Sequence, residues 1–307
     1  MKDFAIYTVI VGGYDQPKQP IVVDDRFDYI LFTDDTTKKS IGVWQLRPIK
    51  IQEKNLFQLS RYPKVLPTEV LPEYKASLYI DGTLQIADQW VYERFFELYS
   101  SKYEWAGIQH FFRNCLYEEM HAIIGTMDKS VHDYDCIEWY TKLKREGFPS
   151  HYGLYENNVI FRKHSENISQ IGITWWDTLK KQCKRDQFSL MYIFWKKEIP
   201  RSFFLPKNED AKHSKHFIYT LHQKPRTIIT SQNMKFHEYL RFGVWGYTPW
   251  NKEWFGKILD HAYKIPFPKI SLYLWEIYAL FRYFLVKKVL SLFNYKTLYS
   301  FFRKKNY

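Results

Sequence analysis

"SLYIDGTLQI", residues 77–86, is an apolar run that stops at Asp81, turns at Gly82 and resumes as apolar residues. A short continuous apolar run closed by a turn dipeptide is the pattern of a strand buried on both faces. The acidic residue at its end has two explanations. Asp followed by Gly is ordinary turn chemistry, or the carboxylate is held at the strand end to meet a metal and the phosphates it carries.

Working outward, strand and helix signals alternate. "FAIYTVIV" (4–11) ends at Gly12-Gly13, "FDYILFTDD" (27–35) closes on Asp34 and Asp35, and "VWQLRPI" (43–49) reads as a third strand. "NLFQLSRYPKVL" (55–66) is a short helix before the strand at 77–81. "QWVYERFFELYS" (89–100) has helical spacing and "WAGIQH" (105–110) is extended. "CLYEEMHAII" and "YDCIEWYTKLKREG" read as helices, the second ended by Gly147. "GLYENNVIFRK" holds another strand, with helices at about 165–182 and 187–196. This alternation predicts an α/β sandwich with a mainly parallel sheet flanked by helices.

Cys115, Cys136 and Cys183 are odd in number, widely spaced and form no CxxC pair. That argues against a disulfide framework or a zinc site and fits a reducing cytoplasm. The N-terminus reads as a strand rather than a signal peptide, since Asp3 interrupts its charged region. No uninterrupted apolar run is long enough for a conventional transmembrane helix. The formal net charge is +12, and residues 269–307 carry eight Lys or Arg against one acid, Glu276. That tail is apolar and aromatic as well as basic, which suits helices lying on an anionic membrane surface; an ordinary packing helix is the alternative. No nucleic-acid-binding motif accompanies the charge, so nucleic acid is not an expected partner.

Ligands of open α/β sheets bind beyond the carboxyl ends of the strands. Four predicted strand ends carry functional groups: Gly12 to Asp15, Asp34 with Asp35, Asp81, and His110 to Arg113. Arg61 and Lys64 would supply positive charge to phosphates or are solvated helix-end charges.

Six blocks in order carry a resemblance: "YTVIVGGYDQPKQP", "DYILFTDD", "RYPKVLPTEVLPEYKASLYIDG", "HFFRNCLYEEMHAII", "EGFPSHYGLYENNVIFRKH" and "KRDQFSLMYIFWK". Together they resemble the glycosyltransferase-like domain named for plant turgor-defect and mucilage-related proteins, over about residues 4–200. Bacterial members of that family look like sugar transferases of surface-polysaccharide synthesis. The resemblance implies a GT-A-like (Rossmann-like) fold, a nucleotide-diphosphate sugar donor, and Mn²⁺ or Mg²⁺ held by an Asp-x-Asp motif. Here the corresponding element is Asp81-Gly82-Thr83, with Thr83 in place of the second carboxylate. One carboxylate with phosphate oxygens and waters still makes a divalent-cation site, and His213, His216 or His222 is the further ligand.

The resemblance also implies roles. Tyr7, Thr8 and Tyr14 line base and ribose, Asp34 accepts from them, and Asp81, Gly82, Arg61 and Lys64 take the diphosphate. His110 and Arg113 hold the donor sugar or its phosphates. Glu156 and Asp186 are the candidate bases, and Glu118 and Asn157 the acceptor contacts. Other readings stay open: Asp186 as a helix N-cap, Glu118 with His121 as a salt-linked helix face, and Trp175 and Trp176 as core.

The expected organisation is a nucleotide-sugar-binding catalytic domain over 1–205, a connecting region packing on it over 206–268, and a membrane-associating tail over 269–307. The expected function is a cytoplasmic glycosyltransferase, peripherally attached to the inner membrane face, that acts on a hydroxyl of a surface-glycan acceptor. The alternatives are an inactive nucleotide-sugar-binding scaffold or a metal-dependent hydrolase, although neither GxSxG nor HExxH is present.

Overall fold

The computed structural model describes residues 2–35, 37–123, 133–181 and 185–222. The expected tail at 269–307 lies outside the described residues. These residues fall in two compact units, one holding residues 2–119 and 148–222, the other residues 120–123 and 133–147.

The chain opens with β1 (Phe4–Val9), β2 (Phe27–Thr33), β3 (Ser40–Ile41) and β4 (Trp44–Pro48), then α1 (Leu56–Val65) and α2 (Pro67–Val70). β5 (Ala76–Ile80) and β6 (Leu84–Ile86) flank the Asp81 turn, and α3 (Trp90–Ser100), β7 (Trp105–Gln109), α4 (Leu116–Ile123) and α5 (Asp133–Glu146) follow. β8 (Tyr155–Lys163), α6 (Glu166–Lys181), α7 (Asp186–Lys196), β9 (Arg201–Phe203) and β10 (Phe217–Tyr219) complete the set. The helices and long strands fall where the apolar periodicity places them. The pieces not read from the sequence (β3, β6, β9, β10 and α2) have two to four residues each, too few to show a period.

The main sheet runs β3-β4-β2-β1-β5-β8-β7-β9, and β10 pairs separately with β6. β4, β2, β1 and β5 are mutually parallel. β8 is antiparallel to β5 and β7, so its first residues lie where those strands end. Asp81 N–H donates to the Asn158 carbonyl at 2.8 Å across that junction. Between β7 and β8 the register slips at Gly107/Ile108, a bulge that leaves residues 157–159 without a register partner in β7.

One face of the sheet packs on α3, whose Val91, Tyr92 and Phe95 are fully buried against β1, β2, β5 and β8. On the other face α6 comes so close to the end of α1 that a Cβ on Gly172 would stand 2.9 Å from the Val65 carbonyl oxygen. Asn55 caps α1 by accepting from the Phe57 and Gln58 N–H groups. Trp175 is core, as expected; its indole N–H lies 3.0 Å from Ser189 Oγ and 3.2 Å from the Asp186 carbonyl. Together these contacts fix the last turn of α1 and the first turn of α7. In the other unit α5 ends at Gly147, which takes the left-handed φ of +78° that a helix C-cap requires.

Candidate active site

The loop after β1 turns at Gly12, whose φ of +63° and contact with Leu56, 2.7 Å from where a Cβ would stand, exclude a side chain. Its N–H points at both oxygens of Asp34, each 3.0 Å away, so the end of β2 holds the loop after β1. Asp15 is buried in this loop, and its Oδ2 lies 2.6 Å from His222 Nδ1, with the Tyr14 ring beside that imidazole at 4.8 Å. Thr220 binds back to the Thr83 carbonyl through its N–H and hydroxyl, so His222 reaches the Asp15 loop from a strand fixed on the Asp81 turn. The other two late histidines are engaged elsewhere. His216 stacks on Trp90 at 4.0 Å and pairs with Asp88, and His213 pairs with Asp210.

At the turn after β5, Asp81 Oδ1 accepts from the Gly82 N–H at 3.2 Å and the Tyr79 hydroxyl at 3.3 Å. Gly82 leaves room for Ile10, which a Cβ would approach to 3.2 Å. Thr8 is buried beside it, with its hydroxyl unpartnered. Behind this turn Lys64 and Arg61, one turn apart on α1, both face Asp186 Oδ2, at 2.7 and 3.5 Å. Burial would raise the Asp186 carboxyl, but the Lys64 and Arg61 charges outweigh it and hold the group well below the usual carboxylate range. Lys64 is 3% exposed and works from behind the surface, whereas Arg61 keeps a quarter of its side chain in solvent. The N-cap reading of Asp186 is corrected: Arg185 is the cap residue, with extended backbone, and Asp186 is the first helical residue.

A second cluster centres on Glu119, which the sequence reading passed over for its neighbour Glu118. Glu119 is 2% exposed and meets Arg113 at 2.6 Å, Arg185 at 3.3 Å and His110 Nε2 at 3.4 Å. Burial pushes its carboxyl up, but the His110 hydrogen bond and the two guanidinium charges win, and the net shift is downward. His110 Nδ1 accepts from the Phe112 and Arg113 N–H groups, which leaves Nε2 as the donor to Glu119. Arg185 and Asp186 are adjacent, so the start of α7 joins the two clusters.

Glu156 lies near the start of β8, and its carboxylate accepts from Asn158 Nδ2 at 3.0 Å. Burial raises its carboxyl above the ordinary Glu range; the neighbouring His110 and Lys212 pull it back and Asp210 pushes it up. Its neighbour Asn157 is 5% exposed, with both amide atoms unpartnered.

Two residues expected at the site, Tyr7 and Glu118, are placed otherwise. Tyr7 is fully buried, hydrogen-bonded to Arg162 and the Lys64 carbonyl, so its ring lies behind the strand end and not on a ligand surface. Glu118 is exposed and turns towards Cys115 and His151; the side chain of its expected partner His121 falls outside what the structure describes. Trp176, read from the sequence as core, is partly buried and packs on Tyr62 at 5.4 Å.

An α/β sheet whose strand ends gather acids, cations and a left-handed glycine turn is the architecture of a ligand-binding α/β domain. The chain belongs to the TOD1/MUCI70 glycosyltransferase-like domain family, which matches residues 2–222. No curated protein matches the chain. Among solved structures it is similar to the WbbM bifunctional glycosyltransferase, with 11% identity and a TM-score of 0.41 over 66% of this chain and 38% of that one. It is also similar to the glycosyltransferase GlyE of Streptococcus pneumoniae TIGR4, with 12% identity and a TM-score of 0.36 over 66% of this chain and 45% of that one. The chain thus spans less than half the length of either. No helix among the described residues is long and apolar enough to cross a membrane.

Proposed function

We propose that the chain is a GT-A-type glycosyltransferase that moves a sugar from a nucleoside-diphosphate donor to a hydroxyl of a surface-glycan acceptor. The observation that carries this reading is a divergence between two carboxylates at one sheet edge: Asp186 is held ionised by Lys64 and Arg61, while burial lifts Glu156. Environments that push two acids apart assign them different roles.

Glu156 is then the base. It takes the acceptor hydroxyl's proton as that oxygen attacks the anomeric carbon, and the bond to the diphosphate breaks with its electron pair leaving on the phosphate. Asp186, with its low proton affinity, is a poor base; it positions Lys64 and Arg61. Arg61 and Arg113, each partly exposed, meet the donor's negative charge, while the carboxylates of Asp186 and Glu119 fix them from within. Thr8, Tyr14 and Asp34 border the nucleoside, and Asn157 offers an unfilled amide to sugar hydroxyls.

Among the described residues Asp81 Oδ2 carries no hydrogen bond, which fits a Mg²⁺ or Mn²⁺ ion arriving with the diphosphate and held by one carboxylate plus phosphate oxygens. Of His213, His216 and His222, it is His222 that reaches the loop after β1, through Asp15. Such an ion, when bound, neutralises charge on the departing diphosphate.

Calorimetric titration of UDP and GDP, with and without Mn²⁺, on wild type and Asp81→Ala tests the reading. Metal-dependent binding that is lost in the variant supports it. Equal, metal-independent binding in both would reduce Asp81 to a turn residue, and no nucleotide binding would favour the hydrolase. Residues 269–307 are proposed to hold the enzyme on acidic lipid, at roughly 1 kcal/mol per basic residue near the surface. Co-flotation with phosphatidylserine vesicles should be lost on deleting them, and retained flotation would sink that part.

A further inference from the structure

Cys115, Glu118 and His151 bring one ligand atom each to within 4.8 Å of one another, and they form the one such Cys/His/Asp/Glu group among the described residues. We propose that these three side chains form a zinc-type metal site, separate from the donor edge, that fastens the start of α4 to the loop entering β8.

Local structure prepares each ligand. Cys115 immediately precedes α4, and its carbonyl takes the first helical hydrogen bond, from the Glu119 N–H at 3.1 Å. Glu118 is three residues further on, a spacing that returns its side chain to the same side of the first turn. His151 comes from the loop before β8 and holds the left-handed φ of +56°, uncommon for a residue with a Cβ. The loop is clipped to the helix start by the Gly153 N–H on the Asn114 carbonyl, at 2.9 Å.

The Asn114 side chain settles which imidazole nitrogen is available. Its Oδ1 lies 2.7 Å from His151 Nδ1 and, as an amide oxygen, accepts the hydrogen bond from an Nδ1–H, the tautomer in which Nε2 keeps its lone pair. This is the outer hydrogen bond that orients and tunes metal-bound histidines.

The donor set defines the metal class. A thiolate and an imidazole discriminate against Mg²⁺ and Ca²⁺, which demand oxygen ligands, and favour Zn²⁺ or Co²⁺. Binding releases the Cys115 proton to solvent and leaves a fourth coordination position for water. The consequence is positional: Glu119, which holds His110, Arg113 and Arg185, follows Glu118 directly, and the His151 loop leads into Glu156.

The test uses the full chain, stripped of metal, with Mn²⁺ and UDP present to fill any donor site. Zn²⁺ is titrated against a chromophoric chelator, and Co²⁺ is added to read a thiolate-to-cobalt absorption band. One Zn²⁺ per chain is expected in wild type, with the band present and retained in Cys183→Ser. Cys115→Ser should abolish the band. His151→Asn, which keeps a residue tolerant of positive φ, should weaken Zn²⁺ binding, and Asn114→Leu should weaken it about tenfold. Glu118→Gln, on the surface, guards against a folding artefact and should also weaken it. No stoichiometric Zn²⁺ in wild type, unchanged affinity across these variants, or a band that depends on Cys183 would overturn the proposal. None of these outcomes depends on whether the chain transfers sugar.

Discussion

Lys64 Nζ and Asp186 Oδ2 lie 2.7 Å apart across 122 residues of sequence, both buried. This contact joins the end of α1 to the start of α7, and it helps hold the Asp186 carboxyl ionised. Removing one partner of a buried pair strands the other. Lys64→Met should therefore destabilise the fold by about 3–5 kcal/mol, whereas Lys64→Met with Asp186→Leu should recover much of that loss. Denaturant midpoints for the two singles and the double provide the cycle; additive effects would show that the pair is not coupled.

The same shifts set an acid limit. Asp186 and Glu119 have folded pKa values below their unfolded ones. Each contributes stability that is fully present above the ordinary carboxylate values of about 4 and is lost as pH falls through the folded value. Stability should drop steeply below about pH 4. Glu119→Gln should be less stable at neutral pH yet show a shallower acid slope, measured by urea melts from pH 3 to pH 7.

Glu156 has the opposite sign. With its pKa raised, ionisation costs the fold stability, and the cost grows as pH rises through the folded value. Glu156→Gln should be as stable as wild type or more so at neutral pH, while transfer falls about 10²–10⁴-fold. The acid limb of kcat in wild type should lie above the usual Glu range. A variant that keeps its activity would remove Glu156 as the base.

Gly172 tests whether the α1 cations depend on helix packing. A methyl group there meets the Val65 carbonyl at 2.9 Å, one residue from Lys64. Gly172→Ala should cost about 1–3 kcal/mol from overpacking and weaken nucleotide binding, although the residue itself is in α6. Unchanged affinity alongside lowered stability would uncouple α6 packing from Arg61 and Lys64.

Tyr7 separates core from ligand surface. Burial pushes its phenol up to about 12 against the pull of Arg162, so it stays protonated and bridges Arg162 to the Lys64 carbonyl. Tyr7→Phe leaves a buried guanidinium short of an acceptor and should cost about 1–3 kcal/mol. The nucleotide Kd should not move; a Kd change without a stability change would return Tyr7 to the ligand surface.

The sequence by itself determined the order and type of the long elements, because each buries an apolar face whose period is written locally. It also located Asp81, Asp34 and His110, since strand ends follow directly from strand runs. Tertiary structure decided the rest. The antiparallel course of β8 brings the start of that strand to the edge where β5 ends, and no local pattern encodes strand direction. Glu119 and Glu118 are adjacent and chemically alike; only the closeness of His110, Arg113 and Arg185 makes one a buried hub while the other faces Cys115 and His151. Likewise only the fold places His222 on Asp15 while His213 and His216 pair elsewhere, and Asp186 changed from cap to ion-pair partner through Lys64. Charges, unlike apolar periodicity, take their energetics from neighbours far along the chain, and those neighbours exist only once the sheet and helices have packed.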